Sequence, residues 1–84
     1  MNKREILAQA LQQRIDEVMG YQINIDNYQL AIARIDEMQD LELSDFKQRL
    51  TDLLASEKLE QKKAKVMLYV IEHQLKETPC STSE

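Results

Sequence analysis

The chain reads as an all-α protein built as an antiparallel two-helix hairpin. Three observations predict it: an apolar repeat every seven residues through the first half, one Gly and one Pro in 84 residues, and a single aperiodic stretch near the middle. Leu11, Val18, Ile25 and Ile32 recur at seven-residue intervals, with Leu7, Tyr21, Tyr28 and Ile35 at the complementary spacing between them. This is the pattern of a coiled-coil-like seam, in which alternating three- and four-residue steps line one face of a helix. Only Arg14 interrupts the series. The shortage of Gly and Pro argues independently against a multi-stranded sheet, which needs turn formers between its strands.

Helix one is expected over about 3–39. Asn2 followed by Glu5 three residues later resembles a capping box, with Asn in place of Ser or Thr. Gly20 lies inside this helix, and glycine there costs about 1 kcal/mol relative to alanine. The repeat keeps its phase across it, so Gly20 is read as a close-packing site and not as a break. Periodicity is lost between Gln39 and Ser44. Ser44 followed by Asp45 then looks like an N-cap with an acid in the first turn.

Helix two is expected over about 44–77. It carries Phe46, Leu50, Leu53 and Leu54, a polar stretch relieved by Leu59 and Ala64, and then Met67, Leu68, Ile71 and Leu75. A break at Ala55-Ser56, with Ser56 capping a third helix, is the alternative to one continuous helix. Pro79 is expected to end the helix, and residues 79–84 lack an apolar anchor and are read as a disordered tail. A connection of about five residues places the helices antiparallel. Folding about Glu42 would set Ile35 near Leu50, Ile32 near Leu53, Ile25 near Leu59, Leu11 near Ile71 and Gly20 opposite Ala64. The internal seam is accordingly read as Leu11, Val18, Ile25, Ile32, Leu53, Leu59 and Ile71. Tyr21 and Tyr28 lie on it, with Ser56, Glu57 or Lys63 level with their hydroxyls.

Apolar residues outnumber what one seam consumes. Ile15, Met19, Ile23 and Leu30 on helix one, and Val66 and Val70 on helix two, fall off the seam and are the candidate self-association surface. Burying such side chains is worth on the order of 1.5 to 3 kcal/mol each, which favours two hairpins closing as a homodimeric four-helix bundle.

Charge separates along the chain. Residues 36–52 hold six acids against Lys47 and Arg49, and the remainder balances, so the net charge of -4 sits at the hairpin tip. Asp36, Glu37, Asp40 and Glu42 are the candidate partner-binding acidic tip, suited to a basic protein surface; the competing reading is a solvated turn. An inhibitor of a nucleic-acid-binding protein acting through this tip, or a subunit of a heteromeric complex, is the alternative to a self-associating module. Direct nucleic-acid binding is disfavoured by the acidic balance and by the interleaving of Lys58, Lys62, Lys63 and Lys65 with Glu57 and Glu60.

No catalytic, cofactor or metal constellation emerges, and a non-enzymatic role is expected. His73 directly follows Glu72, whereas the carboxylate-bundle metal pattern needs Glu-x-x-His. Cys80 is a single thiol, which excludes an intrachain disulfide, and no activating neighbour precedes it. Uncharged runs such as Val18 to Ile25 and Met67 to Ile71 fall well short of the roughly 20 apolar residues of a membrane span. With no apolar signal core after Met1-Asn2-Lys3-Arg4-Glu5, a cytoplasmic location is expected.

Overall fold

In the computed structural model, which describes residues 2–78, helix α1 spans Lys3–Met38 and helix α2 spans Ser44–Glu77, joined through a 3-10 turn at Leu41–Leu43. Three side-chain contacts fix their antiparallel course. Arg4 near the start of α1 reaches the last turn of α2, Gln61 reaches Val18 and Gln22 at mid-length, and Lys47 pairs with Asp36 beside the turn. The hairpin is long and thin, with extents of 66 × 16 × 14 Å. Its radius of gyration is 19.1 Å, against about 12 Å for a compact chain of this length.

The local chemistry explains each boundary. Asn2 adopts extended backbone, and its side-chain oxygen accepts from the Glu5 N–H at 2.8 Å, satisfying one of the open donors at the start of α1. At the other end Gln39 turns left-handed, with φ 53 and ψ 37, and its N–H donates to the Ile35 carbonyl. Asp40 then caps the 3-10 turn by accepting from the Glu42 N–H at 3.0 Å. The expected N-cap at Ser44 is not formed. Ser44 is the first residue of α2, and Leu43, at the cap position, has no side-chain hydrogen bond to offer. The preceding 3-10 turn feeds directly into α2, so the cap that matters is Asp40, one element earlier.

Helix α2 passes Ala55 and Ser56 without interruption, which removes the three-helix alternative. It ends at Glu77, with Thr78 as its C-cap. Arg4 secures that end: its Nη1 donates to the carbonyls of Leu75 and Thr78, each at 3.1 Å. A cation on the final carbonyls of a helix satisfies open acceptors and complements the helix dipole. Pro79, Cys80 and the rest of the expected tail lie outside the described residues.

The core is one narrow stripe. Ile25, Ile35, Leu50, Ala64, Ile71 and the polar Gln61 are its buried members. On α1 the inward positions 4, 7, 11, 14, 18, 21, 25, 28, 32 and 35 are shielded, with 10, 15 and 31 beside them, which is the expected repeat continued in phase through Arg14. From the turn through α2 to its C-cap they step 43, 47, 50, 54, 57, 61, 64, 68, 71, 75 and 78, with 60 and 65 beside them. Leu53 and Leu59 are therefore not seam residues; they stand 41% and 53% exposed, while Leu54, Glu57 and Gln61 occupy the inward positions. A continuous helix cannot rotate locally to bring two leucines inward when its phase is set by Leu50 on one side and Ala64 on the other.

Gly20 is likewise displaced from its expected role. It is exposed, and a Cβ built there would meet nothing within 4 Å. Its neighbour Tyr21 holds the inward position and shares a groove with Ala64. The one glycine thus sits where helix needs none, while Gln39 takes the left-handed conformation that glycine adopts without a Cβ penalty. Gly20→Ala and Gln39→Gly are each expected to stabilise the hairpin by about 1 kcal/mol. The two sites are far apart, so the gains should add in urea denaturation. An Arg4→Ala variant is expected to speed amide hydrogen exchange over residues 75–78 selectively, leaving the centre of α2 unchanged.

Candidate interaction surfaces

At 3.6 residues per turn, each helix presents a seam, a back opposite it, and two flanks between. Two grooves identify the flanks. One is lined by Arg14, Glu17, Tyr21, Glu60, Lys63, Ala64 and Met67. Seven-residue steps from Met67 and Glu60 reach Leu53 and Phe46, and steps from Glu17 reach Ala31 and Met38, all on this same flank. Phe46, Leu53, Met67 and Met38 are 47%, 41%, 43% and 55% exposed, and Glu17, Asn24, Glu60 and Lys63 stand among them, so this side mixes apolar residues with charges of both signs.

The other groove is lined by Gln22, Gln29, Lys58, Gln61, Lys62 and Lys65, with Ile25 at its floor. This flank is polar and basic. None of Lys58, Lys62 and Lys65 makes an ion pair among the described residues, whereas Lys63, on the far side, pairs with Glu60 at 3.1 Å. The two long sides of one hairpin therefore differ in chemistry, a distinction invisible until the seam phase of α2 is known.

The six residues expected to form one self-association surface are divided by the fold. Ile15 is half-buried at the edge of the basic flank, and Met19 lies between that flank and the back of α1. Ile23 and Leu30 occupy the back of α1. Val66 and Val70 lie on the outer surface of α2, where with Tyr69 and His73 they line a shallow depression. The α1 and α2 members thus face away from one another across the hairpin, because apolar residues off a shared seam must point outward from both helices.

At the acidic tip, three of the four candidate residues have local partners. Asp36 pairs with Lys47 across the helices, Glu37 with Arg34 along α1 at 3.4 Å, and Asp40 caps the 3-10 turn. Asp36 and Asp40 help to form the turn, one beside a cation of the facing helix and one as a cap, whereas Glu37 pairs only within α1. Leu41, at the summit, is 88% exposed and is the most open large apolar residue of the described chain.

Polar residues inside the seam set the register. The Gln61 side-chain amide donates to the Val18 carbonyl at 3.2 Å and to the Gln22 side-chain oxygen at 2.9 Å. This buried amide thus bridges the two helices, and leaving it without partners would cost about 1 to 3 kcal/mol. Arg14 keeps its stem at the seam and turns its guanidinium out to Glu17 at 3.1 Å. Glu57 is less well served: its buried Oε2 has no hydrogen-bond partner. The expected partners of Tyr21 and Tyr28 are not realised, since neither hydroxyl makes a hydrogen bond among the described residues. Both rings are only half-buried. The exposed His73 lies 4.0 Å from Glu77 on the same helix, and among the described residues no group of three or more His, Cys, Asp or Glu side chains could hold a metal ion.

Opposite effects are expected at two neighbouring seam positions. Glu57→Leu replaces an unpartnered buried oxygen by apolar surface and should raise the unfolding free energy by about 1 to 2 kcal/mol. Gln61→Ala removes satisfied hydrogen bonds and should lower it by about 1 to 3 kcal/mol. Urea midpoints of the two variants against the parent chain check both signs.

Among the described residues, no helix is long and apolar enough to cross a membrane. No protein-family model, curated protein or solved structure matches the chain, so its role is argued from these surfaces.

Proposed function

We propose that this chain is a non-enzymatic helical interaction module whose first partner is a second copy of itself. The hairpin associates into a four-helix bundle and offers its remaining charged surfaces to another macromolecule. One observation carries the reading: large apolar side chains stay open along both helices while only a single stripe is buried between them. A hairpin with so small a core gains stability from any association that removes those side chains from water. The charge-rich tip and basic flank are then the places at which a second protein would dock, with the alternative of an inhibitor acting through the tip kept as a subordinate form of the same role. That alternative is disfavoured by the local partners of Asp36, Glu37 and Asp40.

Sedimentation equilibrium over a wide concentration range, paired with circular dichroism, tests the proposal. A highly helical dimer at micromolar concentration is expected, with an unfolding midpoint that rises with protein concentration. A well-folded monomer throughout that range would overturn self-association. A poorly helical or aggregating monomer would overturn it in favour of a heteromeric complex whose other subunit covers the apolar side chains.

A further inference from the structure

We infer that the groove between Lys58, Lys62 and Lys65 of α2 and Gln22 and Gln29 of α1 is a docking site for a short acidic protein segment whose carboxylates meet the three ammonium groups. The inference rests on the interaction-module reading and names a surface and a partner chemistry for it. It does not require the hairpin to self-associate.

The first ground is that these cations are left uncompensated. No acid stands three or four residues away from Lys58, Lys62 or Lys65 in either direction along α2. Lys62 is instead four residues from Lys58 and three from Lys65, the spacings at which like charges on one helix repel. Across the groove α1 presents the amides of Gln22 and Gln29, where an acid would have closed a bridge between the helices. Beside the turn the hairpin does make such a bridge, from Lys47 to Asp36. None of the three lysines makes an ion pair among the described residues, and Lys65 is half-buried as well. Three cations crowded in this way cost the free hairpin stability, and an acidic partner recovers it.

The second ground is length, which separates an acidic protein segment from a nucleic acid. Lys58 and Lys65 stand seven residues apart, roughly 10 Å along the helix axis. Seven residues beyond Lys65 on the same line of α2 stands Glu72, and seven beyond Gln29 on α1 stands Asp36. The helices are antiparallel, so acid bounds the basic stretch at both ends. A duplex nucleic acid, with a charge about every 1.7 Å of its axis, would run onto those acids. A short acidic segment ends before them. The lysines step by four and then three residues, so a partner helix with carboxylates at the same steps presents a matching row.

The groove adds polar contacts suited to a carboxylate. Gln22 already donates its amide to Asp26 at 2.9 Å, and its oxygen accepts from Gln61, so it is held in place. Gln29 makes no side-chain hydrogen bond among the described residues and has its amide to donate.

The test titrates the full chain into a dye-labelled helical peptide of about three turns, carrying glutamate at alternating three- and four-residue steps, with fluorescence anisotropy as the readout. A groove variant, Lys58→Gln with Lys62→Gln and Lys65→Gln, is compared with a control, Lys3→Gln with Arg49→Gln and Lys76→Gln. The control removes the same charge from exposed cations that make no ion pair among the described residues. The parent chain is expected to bind the peptide, more weakly as salt is raised. The groove variant is expected to lose affinity on the order of tenfold, as for three exposed ion pairs, and the control to stay within about twofold. No binding by the parent chain at low salt, or an equal loss in both variants, would overturn the assignment. Labelled duplex DNA bound more tightly than the peptide through the same three lysines would overturn it in favour of a nucleic-acid partner. Should the groove variant lose helicity by circular dichroism, Lys58→Gln with Lys62→Gln, both exposed, repeats the comparison with the same outcomes deciding it. Sedimentation of the same samples keeps the two readings apart. A dimer that binds no peptide overturns this assignment alone, and a monomer that binds it through the three lysines overturns self-association alone.

Discussion

Everything in this hairpin follows from the fixed phase of two uninterrupted helices. Once Leu50 and Ile71 point inward on α2, the rotation of 3.6 residues per turn determines what stands at every seam position between them, whatever its chemistry. Leu54, Glu57, Gln61, Ala64 and Leu68 fall there, and Leu53 and Leu59 do not. The result is a contact stripe interrupted by polar and charged residues: Arg4 and Lys47 lie near the two ends, Arg14 about three turns further in than Arg4, and Glu57 and Gln61 near the middle. No large side chain in the stripe is fully buried. Its hydrophobic contribution is therefore modest for the conformational entropy that ordering two helices of this length requires.

The polar seam residues have different jobs, and the distinction is geometric. Arg4 and Lys47 sit where the stripe opens to solvent. One closes the end of α2 through two backbone carbonyls and the other ties α1 to α2 beside the turn. Gln61 lies deep, and its two acceptors, the Val18 carbonyl and the Gln22 side chain, belong to α1, so it ties the two helices together at mid-length. Together they pin the hairpin at both ends and the middle. Apolar side chains alone, repeated every seven residues, would fit nearly as well after a slide of one repeat. The connection contributes as well: the left-handed turn at Gln39 and the Asp40 cap consume the residues between the helices and leave little slack for such a slide.

Helix number, both helix spans and the antiparallel course were legible in the sequence because they depend on signals that are strong locally. Asn2 with Glu5, the loss of periodicity after Gln39 and the repeat from Leu7 to Ile35 each act within a turn or two. The seam of α2 was not legible through residues 53–61, where hydrophobicity and helical phase disagree. A reading that follows apolar residues selects Leu53 and Leu59, whereas the helix obeys its pitch and buries Glu57 and Gln61. The same error misplaced Gly20 opposite Ala64, although Tyr21 occupies that level. Counting sevens outward from Leu50 and inward from Ile71 gives the correct phase, and the two counts agree at Glu57 and Ala64. That agreement was the signal available, and it outweighs the hydrophobicity of any single leucine in a continuous helix.

The displaced leucine and its neighbours on the flank connect the two levels of organisation. With Glu57 and Gln61 inward, the seam gains register at the expense of burial, and Leu53 and Met67 are carried to the rim, where a single hairpin shields each only in part. On this account the inward polar residues tie the two helices together, and self-association would supply the burial that a single hairpin lacks. Folding would then be coupled to concentration, because the protomer on its own retains only the weaker of the two contributions.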